Sequence, residues 1–170
     1  MYERDGMITF QRATESDWPA LWPILEPVFR SGETYAFSPA ITPGEAHRVW
    51  MELPAATYIA RDASGVLLGT YYLKPNQPGL GDHVCNCGYI VAEGMRGRGV
   101  ARAMCVHSQK EAVNAGFLAM QFNLVVSTNL VAVQLWQKLG FAIVGTLPGA
   151  FRHPRQGCVD AYVMFKGLAS

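Results

Sequence analysis

Gly94-Met95-Arg96-Gly97-Arg98-Gly99-Val100-Ala101 is the stretch on which the reading of this chain turns. It follows a β-rich run, Val84 to Val91, and opens a run of helical periodicity from Gly97 to Ala115. In that run Val100, Ala101, Met104, Cys105 and Ala112 fall inward and Gly116 caps the end. A strand that turns through glycines into a helix presents unpaired N–H groups at the helix start, where the positive end of the helix dipole also lies. Glycine removes side chains that would obstruct close approach, while Arg96 and Arg98 add charge. The stretch is therefore read as an anion cradle. Two familiar phosphate patterns fail on it. A dinucleotide fingerprint from Gly97 needs Gly or Ala where Arg102 stands, one from Gly94 needs Gly at Arg96, and the Gly-Lys-Ser/Thr of a P-loop is absent.

Downstream, Ala119 to Val126 reads as a strand, and Ser127-Thr128-Asn129 opens a helix whose Val131, Leu135 and Leu139 recur at helical spacing before Gly140. Phe141 to Thr146 and Cys158 to Phe165 read as two last strands around a basic, aromatic loop, Gly149-Ala150-Phe151-Arg152-His153-Pro154-Arg155. Upstream, Ile8 to Arg12 is a short strand. Cap candidates Thr14 to Asp17 then introduce a helix from Trp18 to Arg30, which Pro23 and Pro27 are expected to kink or break. Thr42 with Glu45 makes a capping box for a second helix through Ala46, Val49, Trp50 and Leu53, stopped at Pro54. Thr57 to Arg61 and Val66 to Leu73 are strands joined by Asp62-Ala63-Ser64-Gly65. Strand, two helices, three strands, helix, strand, helix, two strands is the order of an α/β fold, a mixed sheet covered by helices on both faces.

The 170 residues show no break in composition and set an expectation of one domain over 1–170, its core about 7–167. Half the residues are hydrophobic, which rules against extended disorder, and the formal charge of +1 supplies no global field for nucleic acid or an anionic membrane. Any anion affinity must be local. Four cysteines are too few for a disulfide scaffold, and MYERDGMITF lacks the features of a signal peptide, so the expected compartment is the cytoplasm. Cys85 and Cys87, with His83, share strand spacing, but no second cysteine pair completes a zinc site; no metal is expected.

At this point the sequence resembles the GCN5-related N-acetyltransferases. Arg96-Gly97-Arg98-Gly99-Val100-Ala101 fits their acetyl-coenzyme A motif of Gln or Arg, two residues, Gly, one residue, then Gly or Ala. Asn129-Leu130-Val131-Ala132-Val133-Gln134-Leu135-Trp136-Gln137-Lys138-Leu139-Gly140-Phe141 looks like the second family signature, and the resemblance covers most of Ile8 to Phe165. It implies a mostly antiparallel mixed sheet in which the strand Val84 to Val91 splays from Ala119 to Val126. Acetyl-coenzyme A is then the cofactor, a co-substrate whose pantetheine arm lies in that gap. Ile90 and Val91 would pair with the arm, and the pyrophosphate would sit on Arg96, Gly97, Arg98, Gly99, Val100 and Ala101. Asn129 would bond the arm or simply cap its helix, and Trp136 also falls on the cofactor side.

The resemblance further implies direct transfer of acetyl to an amine. Many relatives carry a glutamate on the strand Val84 to Val91, which here has none, and a thiolate-protonating tyrosine where Trp136 stands. Base candidates are Glu33, Tyr35, Tyr89 and His153. Asn86 and Asn123, polar residues in apolar segments, are with Tyr89 the catalytic candidates. Asparagines on these strands are similar to those of the yeast-type branch acting on proline-like amino acids. Glu33, Tyr35, Asn86, Asn123, Arg152 and His153 are expected around the acceptor, with Arg152 or Arg155 forking onto a carboxylate. The expected partner is a small-molecule amine, an amino acid or analogue, with no nucleic acid, no membrane, and a homodimer as in many relatives. Alternatives are a protein N-terminal or lysine acetyltransferase, or a non-catalytic acyl-coenzyme A binding module.

Overall fold

The computed structural model describes residues 7–168. The elements are β1 (Thr9–Arg12), α1 (Trp18–Ser31), α2 (Pro43–His47), β2 (Ala56–Arg61), β3 (Leu67–Pro75), β4 (Val84–Val91) and α3 (Val100–Asn114). They continue as β5 (Ala119–Val126), α4 (Leu130–Lys138), β6 (Ala142–His153) and β7 (Gly157–Gly167). The order is the expected one. The strands form one mixed sheet, β1-β2-β3-β4-β5-β7-β6, antiparallel at every pairing except β4 with β5. Among the described residues, no helix is long and apolar enough to cross a membrane.

Strand alternation divides the interior into two cores, because successive side chains leave opposite faces of a sheet. Tyr72 and Ile90 pack with Leu25 and Phe29 of α1 and with Ala46 and Trp50. On the other face Cys85, Cys87, Met120 and Phe122 meet Cys105 and Ala112 of α3 and Val133 and Trp136 of α4. Cys85, Cys87 and Cys105 are thus buried core thiols. Trp50 is fully buried, and its indole N–H donates to Thr70 Oγ1 at 3.2 Å, so no donor is stranded. Emptying such an aromatic site costs about 3–5 kcal/mol.

Four local expectations are corrected. Helix α1 runs unbroken through Pro23 and Pro27. With Pro19 they stand four residues apart on the exposed stripe opposite buried Leu21, Leu25 and Phe29, where hydrogen bonds are the ones a curved helix gives up most easily. After α2, residues Arg48–Glu52 form a widened turn in which the Leu53 N–H donates to Arg48 five residues back. Trp50 stays inside while Leu53, expected beside it, is exposed. In α4 the inward residues are Val133 and Trp136, and Val131 is 81% exposed. Finally, the expected loop Gly149 to Arg155 is largely strand: β6 slips register between Ile143 and Gly145 and between Leu147 and Phe151, then pairs on to His153 opposite Gly157.

His47, at the end of α2, joins this layer to the turn before α1. Its Nε2 lies 2.7 Å from Glu15 Oε2 and its Nδ1 2.9 Å from Glu52 Oε1, with Trp18 packed edge-on. Partial burial opposes the charged ring, but the two carboxylates outweigh it and raise the imidazole pKa. A raised folded pKa means stabilisation present in full below the ordinary value near ~6.5 and lost as pH climbs through the raised one. The melting-temperature advantage of the wild-type chain over His47→Gln should therefore shrink between pH 5.5 and pH 9. A pH-independent gap would mean the contact is neutral.

Candidate functional site

The parallel pairing of β4 with β5 covers only Val84–Ala119 and Cys85–Met120, and beyond it the strands diverge. Asn86 sits at the fork: its Nδ2 donates to the Gln121 carbonyl at 2.9 Å, and its Oδ1 accepts from the Tyr72 hydroxyl at 3.3 Å. Past the fork one edge of β4 is free of β5. The Ala92 N–H points to Leu68 on β3, so by alternation the backbone of Val91 and Tyr89 faces the gap. The Tyr89 carbonyl is capped there by the Tyr35 hydroxyl at 3.0 Å.

The divergence opens a cleft of about 950 Å³ running from α3 to the α1–α2 loop. At one end Gly94, Gly97 and Gly99 have φ of 78°, 77° and 75°, so the backbone takes a left-handed path that side chains resist. The helix itself begins at Val100, three residues after the expected Gly97. A Cβ built on any of the three glycines meets nothing within 4 Å, which leaves the helix start open to a phosphate-sized group. Of the residues expected to hold the cofactor, Ile90, Val91, Arg96, Gly97, Gly99, Val100, Ala101, Asn129 and Trp136 line this one cleft. Arg98 does not; its guanidinium turns to the Met95 sulfur at 3.5 Å, while Arg102, one turn into α3, faces the cleft instead. Asn129 Oδ1 accepts from the Ala132 N–H at 3.4 Å, so its helix-cap reading holds, and its position in the wall leaves the amide nitrogen for a ligand.

At the other end Tyr35, Asn86 and Asn123 line the cleft and Glu33, Arg152 and His153 do not. The Glu33 carboxylate meets Arg155 at 2.5 Å, an exposed pair between the β6–β7 turn and the α1–α2 loop. His153 is buried, and its Nδ1 accepts the N–H groups of Arg155 and Gln156, both at 3.2 Å; it fixes the hairpin turn rather than a substrate. Tyr89 belongs to the wall, but its hydroxyl lies 2.7 Å from Ser108 under α3. Burial raises the phenols of Tyr35, Tyr72 and Tyr89 and the Cys87 thiol, so all four stay protonated at neutral pH. Thr34 lines the cleft unforeseen from sequence, with an Oγ1 that is buried and lacks a partner. Among the described residues the cleft wall contains no Asp, Glu or His.

A family model for the acetyltransferase (GNAT) family matches residues 18–141. The N-acetyltransferase aca1 of Schizosaccharomyces pombe is 39% identical over 98 residues, which are 57% of this chain and 47% of that protein. The chain thus spans about half the length of that relative. A GCN5-related N-acetyltransferase from Kribbella flavida superposes with a TM-score of 0.89 at 44% identity, covering 95% of this chain and 98% of that one. The fold is shared also by yncA from Salmonella typhimurium, solved with its cofactor acetyl-CoA, at a TM-score of 0.79 and 18% identity over 96% of this chain and 95% of that one.

Placing bulk and negative charge in the cradle tests its role. Gly99→Glu should raise the dissociation constant for coenzyme A by roughly tenfold or more in titration calorimetry. Gly65→Glu, at an equally open left-handed turn between β2 and β3, should leave it unchanged. Equal effects would assign the loss to backbone strain, and an unchanged constant for Gly99→Glu would remove the cradle.

Proposed function

The chain belongs to the GNAT acetyltransferase family, and from that membership we propose that it transfers acetyl from acetyl-CoA to the neutral amine of a small molecule, an amino acid or analogue. The observation that carries the second half is the cleft wall, which brings tyrosines, asparagines and lysine to the acceptor end and no carboxylate or imidazole.

The residues present fit the co-substrate. The α3 start with Arg96 and Arg102 would hold its phosphates, and the free edge of β4 would pair with its amide-bearing arm. Bound there, it supplies an acetyl group activated as a thioester. The Val91 N–H, turned into the gap, is suited to meet negative charge developing on a carbonyl oxygen. Such a donor is worth most where water is excluded, and the Phe122 and Trp136 rings, 5.1 Å apart, line the same cleft with apolar surface.

Proton handling follows from what the cleft lacks. A base must lie within hydrogen-bond reach of the proton it takes, and the phenols and thiol here are already protonated. The amine therefore loses its proton to water. An α-amine pKa near ~8 belongs to a chain terminus. In a free amino acid the adjacent carboxylate favours the ammonium and raises that value, so only a small fraction is neutral at pH 7 and the cations of the wall must shift the balance. Trp136 has no acidic proton for the departing sulfur, but a thiol pKa near ~8.5 makes the thiolate a tolerable leaving group. Acceptor orientation falls to Tyr35, Asn86, Asn123 and the unpartnered Thr34 hydroxyl.

The same base-free wall favours one other reading, an acyl-CoA binding module without turnover. Incubation with acetyl-CoA and a panel of amino acids separates them: free thiol should appear with α-amine acceptors, and tight cofactor binding without thiol release across the panel would select the module. Where turnover occurs, the rising limb of kcat/KM against pH should follow each acceptor's own amine pKa. A limb fixed at one pH for acceptors of different pKa would reveal an enzyme base and overturn the proton account.

A further inference from the structure

Lys74 is a cation at the acceptor end of the cleft, whose wall, among the described residues, holds no carboxylate. It lies on β3 opposite Asn86 in register, on the face that also carries Tyr72, and it lines the cleft. Its Nζ stands 5.2 Å from the centre of the Tyr72 ring, and no ion pair engages it among the described residues. A half-buried ammonium without a counter-ion calls for an anion. We propose that Lys74 anchors the carboxylate of the acceptor and so confines this enzyme to amines that carry an acidic group next to the nitrogen. The inference rests on the acetyl-transfer reading above and deepens it.

Three observations point to a single carboxylate. The position is wrong for the co-substrate's phosphates: Asn86, level with Lys74, is five residues from Val91, roughly 16 Å along a strand from the approach to the glycine cradle. The other cations expected near the acceptor are unsuited, since neither Arg152 nor Arg155 lines the cleft. From Asn76, two residues past Lys74, a chain of amides with donors to spare runs across to β5. Gln121 Nε2 donates to Asn123 Oδ1 at 2.9 Å, and Asn123 Nδ2 donates to Asn76 Oδ1 at 2.6 Å. Each NH2 in that chain has a second hydrogen, so a planar monoanion can take one charge from lysine and neutral donors beside it. In an α-amino acid the nitrogen is one carbon away from that anion. Because the Lys74 ammonium lies over Tyr72, which pairs with Gly88, a carboxylate held there leaves the amine past the fork, along the gap-facing edge of β4 between Tyr89 and Val91.

The test uses the complex with coenzyme A, in which no acetyl can move. Amino acids, and the matching amino-acid amides, are titrated into the CoA-saturated protein by calorimetry, for the wild type, Lys74→Met and Lys74→Arg. An amino acid should bind the wild type and its amide bind roughly ten- to hundredfold more weakly, the range of a charge-assisted hydrogen bond. Lys74→Met, which keeps the stem over Tyr72, should erase that preference with the CoA constant and melting temperature unchanged, and Lys74→Arg should restore part of it. Amides that bind the wild type as well as the acids, a preference that survives in Lys74→Met, or no amino acid bound at all would each overturn the carboxylate anchor. Loss of CoA binding in the wild type would instead overturn the acetyl-transfer reading. Peptides with a free N-terminus that bind more tightly than amino acids would also overturn the anchor, in favour of a protein acceptor.

Discussion

Two residue pairs hold β4 to β5, and the rest of the site depends on their not being more. A parallel ladder that continued would use the edge of β4 and close the sheet. Instead Asn86 places a side-chain amide where the next ladder bond would form, with its nitrogen on the Gln121 carbonyl. This satisfies one strand's backbone without drawing in the other's. Beyond it, backbone donors and acceptors face a gap, and buried polar groups of that kind require partners. The gap is consequently a site for something polar and extended, whatever the identity of the side chains above it.

The flanking layers hold the gap open from both sides. On one face Tyr89, Phe122, Trp136 and Phe141 pack ring against ring, and Trp136 of α4 bridges the divergence, 5.1 Å from both Tyr89 of β4 and Phe122 of β5. On the other, Tyr35 leans over the fork onto the Tyr89 carbonyl and against Phe29, Phe37 and Trp50. Gly88 is required under it: a Cβ there would meet the Tyr72 ring at 2.5 Å and the Tyr35 hydroxyl at 3.0 Å. The loop that borders the acceptor end is thus docked through aromatic contacts and a single hydrogen bond to the strand it covers.

What could be read from sequence was what neighbours in sequence decide. The capping box at Thr42 and Glu45, the strands up to β5 and the cap at Asn129 are all set within a few residues and stand where expected, and the glycine turn leads into its helix, though three residues late. Misplaced features depended on distant partners. The prolines of α1 are harmless because of which face is exposed, and His153 is withdrawn by a hairpin whose register recovers after two slips. Glu33 is claimed by an arginine more than a hundred residues away. Lys74 carried no local signal, since only the pairing of β3 with β4 sets it opposite Asn86.

Charge gives these pieces a common logic. The chain as a whole is nearly neutral at +1, yet the Lys, Arg, Asp and Glu residues of the cleft wall are Lys74, Arg96, Arg102 and Lys138, all basic. A field of one sign between apolar walls attracts anions at both ends and disfavours a second cation between them. An ammonium entering that space is driven toward its neutral form, the form that attacks, since a like charge lowers its pKa. A carboxylate in the wall would do the opposite, stabilising the ammonium while offering to remove its proton. On the reading proposed above, a wall with lysine and no acid would ease the loss of the amine's proton without holding a base of its own. The acceptor's own carboxylate, paired with Lys74, would then offset the repulsion and bring the amine into the gap.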